Sequence, residues 1–165
     1  MAPTVSNTSP IINLAAINQL NLLHLLYGQI IIPAAVYHEI VVQGAGQPGA
    51  SDVQTEPWFE QRPVTDLALV ANLLTRNPLL NRAEAEAIVL AVELQADRLL
   101  IDEIEGRHVA AALGVPIRGL LGVLAEAKRQ GLIPLVRPLM DDLISRAGFF
   151  IAPPLYAQIL RDVGE

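Results

Sequence analysis

The stretch Arg98-Leu99-Leu100-Ile101-Asp102-Glu103 runs an apolar segment straight into two carboxylates, with a third acid, Glu105, close behind. A short apolar run bounded by polar residues suits a buried parallel strand. In open α/β sheets, ligands bind outside the carboxyl ends of the strands. Read as such a strand, Leu99 to Asp102 delivers Asp102 and Glu103 to that mouth. Acids gathered there repel one another unless a divalent cation neutralises them.

Just upstream, Asn81 to Ala96 (NRAEAEAIVLAVELQA) is the clearest helix in the chain. On a helical wheel of about 100° per residue, Glu86, Glu93 and Asp97 share one face, which reads as solvated. Glu84 lies opposite, on the face of Ile88 and Ala91, where a carboxylate needs a partner. Downstream, His108 to Leu113 reads as helix, Val115 to Ile117 as strand and Leu120 to Gln130 as helix. Pro134 to Arg146 and Pro153 to Val163 give two further helices.

Toward the N-terminus, Thr4 to Asn7 reads as a first strand. Thr8-Ser9-Pro10 then marks a helix start with a hydroxyl cap and an early proline. A second helix runs from Gln19 to Tyr27, and Ile30-Ile31-Ile32 is the next strand. Pro33 opens a helix reaching about Val42, with Glu39 its lone acid. Gln43 to Gln54 reads as a polar, glycine-rich loop, Val64 as part of a small edge strand, and Leu67 to Leu74 as helix. Strands alternating with helices predict a single α/β domain over residues 1–165 with a mainly parallel sheet.

A chain of 165 residues is long enough to bury a real core, about 70% of its unfolded surface by size scaling. Hydrophobic residues make up 52% and charged ones 17%, a surplus that predicts a helix-covered sheet and an apolar subunit interface, hence a homodimer. The absence of cysteine excludes disulfides, cysteine–zinc sites and thiol nucleophiles, and fits a cytoplasmic protein. The uncharged opening stretch lacks a basic leader region, and its apolar runs are broken by asparagine and glutamine, so no membrane segment is expected. No repeat or low-complexity tract stands out. The net charge of −6 argues against general polyanion binding, and all 11 basic residues lie from Arg62 onward.

Four positions fall where an α/β site belongs: Asn7, Glu39, Glu84 and Asp102. Hard oxygen ligands of this kind suit Mg²⁺ or Mn²⁺. Each has a plain structural alternative. Asn7 serves an Asx turn; Glu39 sits on a solvated helix; Glu84 answers a helix dipole; Asp102 caps the following helix. Glu103 and Glu105 read as exposed helix-start charges or as supports behind a metal ion. Arg107 is placed to meet a phosphate or to pair with Glu103 one turn earlier. GQPGA lacks the lysine of a P-loop, no G-x-S-x-G elbow occurs, and the single lysine, Lys128, lies inside a helix rather than at a strand end. Kinase, serine-hydrolase and receiver-like readings therefore rank below a metal site.

VSNTSPIINLA, IIIPAAVYHEI and AEAEAIVLAVELQADRLLIDEIEGRHVAAALGVPIRGLLGVL, with the tail GFFIAPPLYAQILRDVG, resemble the PIN-domain family, and more narrowly a prokaryotic subgroup related to VapC toxins. The resemblance implies a doubly wound α/β/α sandwich. It implies an acid quartet that holds Mg²⁺ or Mn²⁺ and cleaves single-stranded or structured RNA, under the control of a small antitoxin. By position the four acids fall on Asn7, Glu39, Glu84 and Asp102, a weaker fifth on Glu103 or Glu105, and the hydroxyls following the first on Thr8 and Ser9. The departure is Asn7, which keeps a carbonyl ligand but removes a charge from a position where the family normally has Asp. Two readings follow: a metal-dependent endoribonuclease, or a catalytically weakened module that binds nucleic acid or protein.

Overall fold

Short apolar runs become strands and longer periodic stretches become helices. The computed structural model describes residues 3–165. Among them, five strands form one sheet: β1 (Thr4–Ser6), β2 (Ile30–Ile32), β3 (Phe59–Gln61), β4 (Arg98–Leu100) and β5 (Ile117–Arg118). All pairings are parallel, and the order is β3-β2-β1-β4-β5. Val5 lies between Ile31 and Leu99, in the centre of the sheet and fully buried.

The helices are α1 (Thr8–Ala16), α2 (Asn21–Tyr27), α3 (Ala34–Tyr37), α4 (Ala50–Thr55), α5 (Leu67–Arg76), α6 (Arg82–Glu93), α7 (Ile104–Ala112), α8 (Leu120–Arg129), α9 (Arg137–Ser145) and α10 (Pro153–Asp162). The chain winds outward from β1 to β3, returns to β4 on the other side of β1, and ends the sheet at β5. Right-handed crossovers place the helices of the two halves on opposite faces, which gives an α/β/α sandwich. The point where the winding reverses lies between the carboxyl ends of β1 and β4. There the Asn7 amide N–H donates to the Leu100 carbonyl at 2.9 Å, carrying the ladder one residue past β1.

Helix α6 packs on β1 and β4 and also against α3, α5 and α7. Every residue from Ala83 to Ala91 is therefore buried, including Glu84 and Glu86. The wheel assigns Glu86 to water, and the structure corrects that. Its carboxylate accepts from the Ala35 N–H at 3.1 Å and from Arg82 Nε at 2.9 Å, which answers an unpaired donor in the first turn of α3. Glu93 is also engaged, accepting from the backbone N–H groups of Thr65 and Asp66.

Three local expectations fail for identifiable reasons. Helix α1 has no hydroxyl cap: Asn7 is the extended N-cap residue, without a side-chain cap bond, and Thr8 already lies in the helix. The polar segment 43–54 is not all loop, because Ala50 and Val53 bury one side of a short helix, α4. The edge strand is β3 rather than the stretch at Val64, because Phe59 to Gln61 continues the parallel register with β2. Helix α3 runs on into a wider π-type turn, His38–Gln43, which carries Glu39. Among the described residues, no helix is long and apolar enough to cross a membrane.

Candidate active site

Asn7 directly follows β1 and is 2% exposed. Its Nδ2 donates to Glu103 Oε2 at 3.0 Å, so the residue after the central strand is tied to the N-cap of α7. Its Oδ1 is buried without a hydrogen-bond partner, and so is Thr8 Oγ1. Unpaired buried oxygens cost free energy unless something donates to them or coordinates them.

Glu84 reaches the same edge from α6. It forms a capping box with Asn81: Oε1 accepts from the Asn81 N–H at 3.2 Å, and Asn81 Oδ1 accepts from the Glu84 N–H at 2.8 Å. Oε2 lies over Gly106, where a Cβ would stand 3.2 Å away. Burial pushes the Glu84 carboxyl above the ordinary glutamate range. The Asn81 N–H opposes that shift, while the charges of Glu103, Glu39 and Glu105 add to it. Four carboxylates from the π-type turn, α6 and the start of α7 therefore lie within electrostatic reach of one another.

Asp102 behaves differently. Its Oδ1 accepts from the Leu120 N–H at 2.8 Å, so it caps α8 and not the helix that directly follows it. Its Oδ2 is buried and unpaired. Burial pushes its pKa up to about 6, with Glu103 adding to the rise, and the Leu120 N–H and Arg107 opposing it. Arg107 does not pair with Glu103. Its Nη1 donates to the Ile101 carbonyl at 3.2 Å, and it joins none of the ion pairs among the described residues.

The edge opens on two sides. Ser9, Asp102, Glu103 and Arg107 line one groove; Thr8 and Glu39 line another. The structure thus draws Asn7, Glu84 and Glu103 together and turns Asp102 toward α8. Among the described residues, no group of three acids or histidines is arranged to hold a metal ion. In kind, however, the donors fit a hard cation. Asn7 Oδ1 and Asp102 Oδ2 are orphaned oxygens, and Glu84 sits among carboxylates whose mutual repulsion a cation would relieve. The central place of Glu103 was not readable from the sequence, where it reads as an exposed helix-start charge or a support behind a metal ion; its bond to Asn7, against that of Asp102 to Leu120, appears only in the fold.

A family model described as a PIN domain matches residues 3–165 of the chain. No curated protein matches it.

Proposed function

This chain belongs to the PIN-domain family, and on that premise we propose that it is a metal-dependent ribonuclease, toxin-like and of the VapC-related kind. The observation that carries the reading is the set of buried oxygens without a hydrogen-bond partner at the winding-reversal edge, Asn7 Oδ1, Thr8 Oγ1 and Asp102 Oδ2. Glu84 lies among the charges of Glu103, Glu39 and Glu105 and, among the described residues, pairs with no basic side chain, a concentration of like charge that a divalent cation would neutralise.

Glu39, Glu84, Glu103 and Asp102 would hold Mg²⁺ or Mn²⁺, with Asn7 Oδ1 as a neutral ligand. Bound there, the ion supplies an activated water and charge neutralisation at phosphorus. Asn7 fixes the Glu103 carboxylate by its amide. Asn81 fixes one oxygen of Glu84 and leaves the other free. The Thr8 and Ser9 hydroxyls stand at the N-terminus of α1, where donors favour an anionic oxygen. Arg107 supplies a guanidinium for a neighbouring phosphate. The working protein is a cytoplasmic homodimer restrained by a small antitoxin.

The test compares RNA cleavage in Mn²⁺ by the native chain, Glu84→Gln and Asp102→Asn. Glutamine keeps an acceptor for the Asn81 N–H while removing the charge, so the fold is preserved. The expected result is cleavage by the native chain and a loss of at least about a hundredfold in Glu84→Gln. Equal activity in all three removes cleavage from this site.

The Asn7–Glu103 hydrogen bond favours a second reading, a PIN fold that binds RNA or protein without cutting. An amide in contact with an acid stabilises the edge without any ion. Tight Mn²⁺ binding by the native chain in calorimetry argues against that reading. Binding gained only on Asn7→Asp argues for it.

A further inference from the structure

A groove of about 870 Å³ runs from the acid edge across the face of α7 and α10. Asp102 and Glu103 line it, together with Arg107, Phe149 and Phe150. Phe150 is 81% exposed. Its flanks are nevertheless anchored. The Phe149 N–H donates to the Leu143 carbonyl at 2.9 Å, Ile151 is buried, and prolines 153 and 154 open α10. The ring is held out in water by a fixed backbone rather than by a frayed one. An aromatic face kept exposed in this way gains free energy when a flat apolar surface covers it.

Arg107 is seated with equal care. Its Nη1 donates to the Ile101 carbonyl, and a Cβ at position 119 would stand 2.5 Å from that nitrogen and 3.1 Å from Asp102 Oδ1. Glycine at 119 leaves the room that both side chains use. With no carboxylate partner, the guanidinium keeps spare donors for an anion. Arg118, on the same groove, is already paired with Glu126.

We infer that Phe150 and Arg107 form a nucleotide subsite: the Phe150 ring stacks on one unpaired base and Arg107 holds an adjoining phosphate of the same strand. The inference rests on the ribonuclease reading and adds to it the side chains that receive a base and its phosphate. A base held inside a double helix cannot offer its face to the ring, whereas stacking accepts any base. A purely apolar partner would leave the guanidinium unanswered, and a compact anion would leave the ring uncovered. A phosphate joined to a flat base answers both.

The experiment measures fluorescence anisotropy of the full chain with a short unstructured RNA in EDTA at low salt, so that binding is read without turnover. Phe150→Ala, Phe150→Trp and Arg107→Gln are compared with the native chain, and Phe150 is exposed enough for its variants to fold. Phe150→Ala is expected to weaken binding about tenfold and Phe150→Trp to retain it. An abasic RNA is expected to weaken binding to the native chain but not to Phe150→Ala. Arg107→Gln is expected to lower the salt slope by about 0.7. Native RNA binding that is unchanged in Phe150→Ala overturns the subsite and leaves the ribonuclease reading standing. A native chain that neither binds nor cleaves RNA removes both. Phe150→Ala that halves the mass by light scattering with RNA affinity intact shows a contact between copies instead, and overturns the subsite.

Discussion

Asn7 and Glu103, 96 positions apart in sequence, meet through one hydrogen bond of 3.0 Å between the side-chain amide of the first and the carboxylate of the second. The bond closes the gap between the central strand and its neighbour where the sheet reverses its winding. It also places a neutral donor against the Glu103 carboxylate.

Asn7→Asp turns that donor into a second carboxylate. Without metal the variant is expected to lose about 1–3 kcal/mol, the scale for breaking a charge-assisted hydrogen bond in a buried place. With millimolar Mn²⁺ it is expected to gain more thermal stability than the native chain does. Thermal melts of both proteins with and without Mn²⁺ check this; equal Mn²⁺ shifts contradict it.

Asp102 gives the fold a pH dependence of defined sign. Its pKa is pushed up from 3.8 to about 6 in the folded protein, so the folded state holds the proton more tightly than the unfolded chain. The resulting stabilisation is fully present below about pH 4 and is lost as pH rises through about 6. Glu84 shifts in the same direction. Asp102→Asn keeps the acceptor for Leu120 and removes the titration. Urea midpoints across this range are expected to fall less steeply for the variant than for the native chain.

Glu86 is buried and satisfies both the Ala35 N–H and Arg82. Glu86→Ala leaves that N–H at the start of α3 without a partner and is expected to cost about 1–2 kcal/mol. Urea denaturation measures it. An unchanged midpoint would restore the solvated reading of this residue.

Gly106 brings α7 close to Ile101, the residue after β4, and to Glu84 of α6. A Cβ there would stand 2.6 Å from Ile101 Cδ1, inside the fully buried core. Gly106→Ala is expected to destabilise by roughly 1–3 kcal/mol through overpacking, despite the better helix propensity of alanine. Denaturant titration gives the number, and a stabilised variant would contradict the close approach.

The elements that sequence reading placed well are those whose signal is local. Ile30 to Ile32 is a short apolar run between Gly28 and Pro33, the strand read over Leu99 to Asp102 is present as Arg98–Leu100 and ends two residues sooner, and α6 is a long periodic stretch. What failed had a local pattern that tertiary packing overrode. Glu86 sits on a face with Glu93 that the wheel gives to solvent, yet α3 and the 65–66 turn lie on it. Ala50 and Val53 are too few to announce α4, which exists because the protein body takes up that side.

The sequence by itself determined an α/β fold with a mainly parallel sheet, because the alternation of short apolar runs with periodic stretches admits few other arrangements; the doubly wound form was implied by the resemblance to the PIN-domain family. It also set Asp102 and Glu103 just past the carboxyl end of a parallel strand, because the apolar run Leu99 to Ile101 leads straight into them. Only the tertiary structure decided how those acids are used. Glu103 turns to Asn7 and Asp102 turns to α8, two neighbours given opposite tasks by the donors that packing brings to each. No spacing rule encodes that choice, since each donor comes from a segment that only the completed sheet sets alongside the strand end.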